Sequence, residues 1–95
     1  MPRDAAQATE IINDARVRVT RFDFAPGAET GWHRHEMDYV ITTLTLCEMG
    51  LEDSQGDLHQ VRVEAGTSYR RDAGVEHNVI NCGVAPMSFV EVELK

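Results

Sequence analysis

The chain has little of what the commoner function classes require. Basic side chains are scarce, nine Lys and Arg against sixteen Asp and Glu, for a net charge of −7. Nucleic-acid binding needs clustered Lys and Arg, and anionic membrane surfaces attract the same charges, so neither is an expected partner. Cysteine is limited to Cys47 and Cys82, in no CxxC arrangement, which reads as reduced, buried thiols. No run approaches the length of a membrane span, and residues 1–15 lack the apolar stretch of a signal peptide. The expected compartment is therefore the cytoplasm.

What is present is 95 residues, 42% of them hydrophobic, with turn residues throughout. That describes one small ordered domain with a modest core. Residues 1–15 are polar and acidic and show no period-2 alternation; Ile11 and Ile12 are their only adjacent large apolar pair. They are expected to form an arm, with at most a short helical turn, laid over the domain or over a partner subunit. Residues 16–95 read almost entirely as strand. Val17 and Val19 set one parity and Phe22 and Phe24 the other, which predicts a bulge near Thr20 and Arg21. Further strands are expected over 38–44, 46–52, 58–64, 68–71, 75–80 and 87–94, with turn chemistry at 53–57, 65–66, 73–74 and 81–83. The boundary between Leu44 and Leu46 carries no Gly or Pro. Many short strands in a small chain predict an all-β fold, a small antiparallel β-barrel or two-sheet roll. In the last strand Val90, Val92 and Leu94 share a face with Ser88, while Met87 and Phe89 share the other with Glu91 and Glu93. A strand apolar on both faces meets either a homodimer partner or the opposing sheet.

His33 and His35 lie one residue apart. Alternate residues of a strand face the same way, so the pair aims two imidazoles at one point, as a metal ion requires of neutral nitrogen ligands. A longer frame surrounds the histidines. Five residues separate Gly27 from His33, and Gly66, Gly74, His77 and Asn81 follow at spacings of eight, three and four.

The run Gly27-Ala28-Glu29-Thr30-Gly31-Trp32-His33-Arg34-His35 resembles the first motif of the cupin superfamily: glycine, five residues, His-x-His, then a glutamate four or five residues on. Gly66, Asp72, Gly74, His77 and Asn81 resemble the second motif, with Asp72 in place of its proline. The resemblance covers most of the chain. It implies a jelly-roll or double-stranded β-helix barrel in which His33, His35 and His77 bind a divalent metal such as Fe, Mn, Ni or Zn. It also implies that Gly27, Gly66 and Gly74 serve tight turns and that Asn81 braces the turn after the second motif. The glutamate of the first motif is missing from its slot, which Tyr39 occupies. Strand parity puts Tyr39 on the side of His35, but a bend would let Asp38 swing in as a fourth ligand; otherwise the site is a three-histidine one. The run from Gly31 to Val40 is similar to that of small stand-alone cupins, some associated with β-alanine catabolism.

Other side chains have two readings each. Arg70 and Arg71 either clamp a substrate carboxylate, which a guanidinium pairs with bidentately, or are solvated strand residues. Tyr69 and Trp32 either line a pocket or pack in the core. Met37 and Met49 read as core or rim packing. His59 is unassigned, and Glu76 is expected to face away from His77. Three imidazole ligands leave positions open for substrate, water or O₂. The expected function is metal-dependent enzymology on a small polar or carboxylated metabolite, with an Fe(II) dioxygenase first and isomerase, decarboxylase or lyase chemistry next. Tyr39 is the candidate catalytic side chain, orienting substrate or relaying a proton. The competing class is a non-catalytic small-molecule-binding cupin.

Overall fold

The computed structural model describes residues 2–95. Among these residues every regular element is a strand: β1 (Gln7–Asn13), β2 (Val17–Phe24), β3 (His33–Arg34), β4 (Asp38–Thr43), β5 (Cys47–Glu52), β6 (Leu58–Val63), β7 (Ser68–Arg71), β8 (Glu76–Asn81) and β9 (Met87–Leu94). They form a five-stranded sheet, β1-β2-β9-β4-β7, and a four-stranded sheet, β3-β8-β5-β6, paired antiparallel throughout. This is the all-β antiparallel jelly roll that the strand pattern predicts. The one boundary without turn residues, 44–46, is where the chain leaves the five-stranded sheet after β4 and enters the other at β5.

The core follows from strand parity. Phe24 of β2, Tyr39 and Ile41 of β4, and Met87 and Phe89 of β9 point inward against Cys47 and Met49 of β5 and Val79 of β8. The Phe22, Phe24 and Phe89 rings pack with centroids 5.4 to 6.4 Å apart, the spacing at which tilted aromatic pairs attract. The outer face of the five-stranded sheet carries a second apolar row. Ile12 pairs with Val19, Val19 with Val92, and Val92 with Val40, so four strands present one line of aliphatic side chains outward.

Two local expectations are corrected. The bulge is not on β2, which pairs with β9 without interruption from Val17 to Phe24. It is on β1, between Glu10 and Ile12, opposite Thr20 and Val19. The change of apolar parity along β2 has another cause: Val17 and Val19 belong to the outer row while Phe22 and Phe24 belong to the core. Residues 7–13 form an edge strand where at most a helical turn is expected. All seven are exposed, so no burial selects alternation, and the strand is invisible to periodicity. Ahead of it the segment pairs with its own domain: Ala6 N donates to Glu29 O and Glu29 N to Asp4 O.

Turn chemistry holds the motif frames. Gly27 and Gly74 have φ of +82° and +99°, a backbone region that costs a side chain with a Cβ. Asn81, 2% exposed, donates to the carbonyls of Phe24 (3.3 Å) and Ala85 (2.9 Å) and accepts from Gly83 N (3.0 Å). Replacing it with alanine orphans these groups in the interior. Asn81→Ala should lower stability by about 2–4 kcal/mol in urea unfolding, whereas Val84→Ala on the exposed turn should change it by less than about 0.5 kcal/mol.

Candidate metal centre

The two motifs meet at a very short ladder. β3 is two residues long, and its His33 stands directly opposite His77 of β8, with Arg34 opposite Glu76. His35 continues on the same face one alternation later. Its backbone is tied to the β7–β8 turn: His35 N donates to Val75 O at 2.9 Å and Gly74 N to His35 O at 2.8 Å. The positive-φ glycine thus lets the turn close against the strand that carries the second histidine.

The three side chains converge. The Nε2 atoms of His33 and His35 are 3.0 Å apart and those of His35 and His77 3.1 Å. The rings are mutually steep, at 81°, 72° and 87°, so each turns a different face to the common point. Two nitrogens held at right angles about 2.1 Å from one ion lie about 3.0 Å apart, and at the tetrahedral angle about 3.4 Å. The observed spacing matches the right-angle arrangement, and the three residues can hold a metal ion.

Two rings have a polar group at the far nitrogen. His33 Nδ1 lies 2.8 Å from the carbonyl of Gly31, which accepts only from N–H. His35 Nδ1 faces Oε1 of Glu91 at 3.3 Å. The Gly31 contact places the His33 proton on Nδ1 and leaves its Nε2 lone pair free, the arrangement that orients metal-ligating histidines. Burial, with the neighbouring His33 second, lowers His35 to a pKa of about 4. Burial followed by His33, His35 and Arg71 does the same for His77. Both imidazoles are neutral at pH 7, as ligands must be.

Glu91 is the site residue that motif reading missed. It is 6% exposed on β9, and burial, reinforced by Glu93, pushes its pKa up to about 7. Burial thus drives both His35 and Glu91 toward their neutral forms, so their contact is a polar one and not a full ion pair. A sequence signal existed: Glu91 follows Met87 and Phe89 on the inward face, and a carboxylate there needs a partner. Asn78 also escaped notice. It accepts from Gly31 N at 3.0 Å and donates to Glu29 and Glu52, each at 2.7 Å, fastening the loop that carries His33 onto β8. Arg3 closes over the same two carboxylates.

The other candidates fall into place around this centre. Tyr39 is 2% exposed and its ring stacks on His35, with centroids 3.8 Å apart at 18°. Burial, then Glu91 and Tyr69, raises the phenol above its ordinary pKa. Asp38 is not brought to the histidines: its Oδ1 accepts from Ala73 N at 2.7 Å and its Oδ2 lies 3.6 Å from Arg70. Strand parity holds through the bend, so the inward slot belongs to Tyr39. Glu36 and Glu76 are exposed, as is Trp32. His59 pairs with Asp53 in the β5–β6 hairpin at 2.8 Å, apart from the centre. A cavity of about 50 Å³ is lined by the three histidines and by Tyr39, Tyr69 and Arg71, with Met49 in its apolar wall.

Glu91 sits beside Nδ1 of His35 and outside the histidine cluster, so Glu91→Gln should leave the fold intact. It should weaken divalent-metal affinity by about 10- to 100-fold, read by competition with a chromophoric chelator. Glu93→Gln on the same strand should change it by less than about threefold.

The family described as Cupin domain matches residues 20–93. A curated relative, the beta-alanine degradation protein BauB of Pseudomonas aeruginosa, is 50% identical over 98% of this chain and 97% of its own length. An oxalate-binding protein of Thermotoga maritima is 31% identical over 84% of this chain and 63% of its own length. A solved cupin domain from Bordetella pertussis superposes with a TM-score of 0.95 at 46% identity, covering 100% of this chain and 98% of that one. The chain belongs to the cupin family.

Proposed function

We propose that the protein is a metal-dependent cupin enzyme acting on a small polar or carboxylated metabolite, with oxygenation at Fe(II) as the first chemistry and isomerisation, decarboxylation or lyase chemistry next. The observation that carries this reading is the convergence of three Nε2 atoms at the floor of a lined cavity. His33, His35 and His77 would hold the ion. Bound by three neutral imidazoles, a divalent ion keeps its full charge and open positions, and so polarises an anionic oxygen or thiolate. Tyr39, kept protonated by burial, orients substrate as a hydrogen-bond donor and is unsuited to act as a base at neutral pH. Ile41, Met49 and Val79 exclude water from the same cavity. The name of the Pseudomonas relative supports a place in the degradation of a small amino acid.

Fe(II)-loaded protein should consume O₂ with a small carboxylate or thiol substrate. His35→Ala should abolish that turnover, and Tyr39→Phe should lower it on the order of a hundredfold with metal content intact. A second reading, a non-catalytic binding protein, draws support from the oxalate-binding name of the Thermotoga relative. It becomes the better one if compounds bind at the metal and none is converted under Fe(II), Mn(II), Ni(II) or Zn(II).

The outer row of Ile12, Val19, Val92 and Val40 supports a homodimer, since an aliphatic line across four strands is a costly surface to leave in water. Light scattering at micromolar concentration should give twice the chain mass, and Val92→Arg should give the monomer mass. A monomeric wild type removes this part of the proposal.

A further inference from the structure

The wall of the histidine cavity contains one cationic side chain that metal binding does not use. We propose that Arg71 anchors the carboxylate of a short ligand whose other end, a second polar donor, reaches the histidine cluster. The inference rests on the reading of that cluster as a metal site, and adds to it the class of ligand and the residue that selects it.

Register brings Arg71 to the site. On the β4–β7 ladder it stands directly opposite Tyr39, the residue whose ring lies against His35. Its guanidinium sits over the Tyr69 ring, 4.8 Å from the centroid, while Nη1 donates to the carbonyl of Arg70 at 3.2 Å. The ring contact and the Arg70 carbonyl hold the guanidinium in place and leave its other N–H donors free, the fork that recognises a carboxylate. Among the described residues no carboxylate pairs with it, although acidic side chains outnumber basic ones in the chain. Its neighbour Arg70, which points the other way, is within 3.6 Å of Asp38. A guanidinium without a carboxylate partner in the wall of the histidine cavity, on a protein of charge −7, is where an anion is drawn in; Arg34, also unpaired among the described residues, lines the groove on the β1 side.

The cavity also limits the rest of the ligand. Ile41, Leu51 and Val79 line it, so the link between the two polar ends is hydrocarbon. A volume of about 50 Å³ has room for on the order of four water-sized groups. Together these describe a short unbranched acid with a hydroxyl, amine or thiol at its far end. An open groove of about 330 Å³ reaches His33 and His35 from the β1 side, past Arg34. Arg18 and Arg34 line that approach together with Glu91 and Glu93. Arg18 already engages Glu93, so Arg34 is the competing anchor to be separated from Arg71.

Calorimetric titration of the metal-loaded protein tests this, with metal content measured on every sample. The probes are 3-hydroxypropanoate, its neutral amide and the longer 6-hydroxyhexanoate. The short acid should bind more tightly than either of the others. Arg71→Gln should weaken the acid by about tenfold or more and leave amide binding, metal content and Tm unchanged. Arg71→Lys should restore part of the loss, and Arg34→Gln should have no effect. Acid binding undiminished in Arg71→Gln, equal affinity for acid and amide, loss of binding in Arg34→Gln instead, or no binding of any probe by metal-loaded protein overturns the inference and leaves the metal reading standing. Failure of the wild type to take up metal overturns both.

Discussion

Three imidazole nitrogens pointing at one spot, at spacings of 3.0 and 3.1 Å, are the constraint around which this small barrel is arranged. Nitrogens this close in a half-buried place either share protons or, with their lone pairs turned inward, share a cation. The fold supplies the force that holds them there. Pairing of β3 with β8 sets His33 against His77, and the Gly74 turn ties His35 to the same end of the ladder. The Gly31 carbonyl holds the His33 ring by its far nitrogen, and Glu91 stands beside that of His35. Asn78 locks the His33 loop to β8, so the backbone is not free to relax the crowding.

Around this centre the two sheets divide the work. The five-stranded sheet contributes the cavity's working walls: Tyr39 and Ile41 from β4, Tyr69 and Arg71 from β7, and Glu91 from β9. The four-stranded sheet contributes His33 and His77 and the apolar Met49 and Val79.

Much of this was legible in the residues. Strand-forming runs between turn residues located the strands from 38 onward to within a residue or two, although only β4 of these alternates cleanly between buried and half-buried positions. Glycine spacing located the turns, since a positive φ such as that of Gly74 admits few other residues. His33 and His35 were visible as a pair through strand parity alone. The same parity pointed to Tyr39 over Asp38, and the structure follows it. What stayed hidden has physical reasons. β1 lacks a buried face and therefore lacks a pattern. The parity change in β2 reflects a strand apolar outside at one end and inside at the other, which mimics a bulge. Glu91 and Asn78 act across 56 and 47 positions of sequence, on His35 and Gly31, and no local pattern encodes a contact made only by the fold.

The most direct measurement is the X-ray absorption spectrum of protein loaded with one equivalent of Fe(II) or Zn(II), recorded beside a variant with His33, His35 and His77 all replaced by alanine. One ion per chain should show three imidazole nitrogens at about 2.0–2.2 Å, a shell that the variant lacks. A first shell without imidazole, or the same metal content and spectrum in the variant, would contradict the central claim that these three histidines bind the metal.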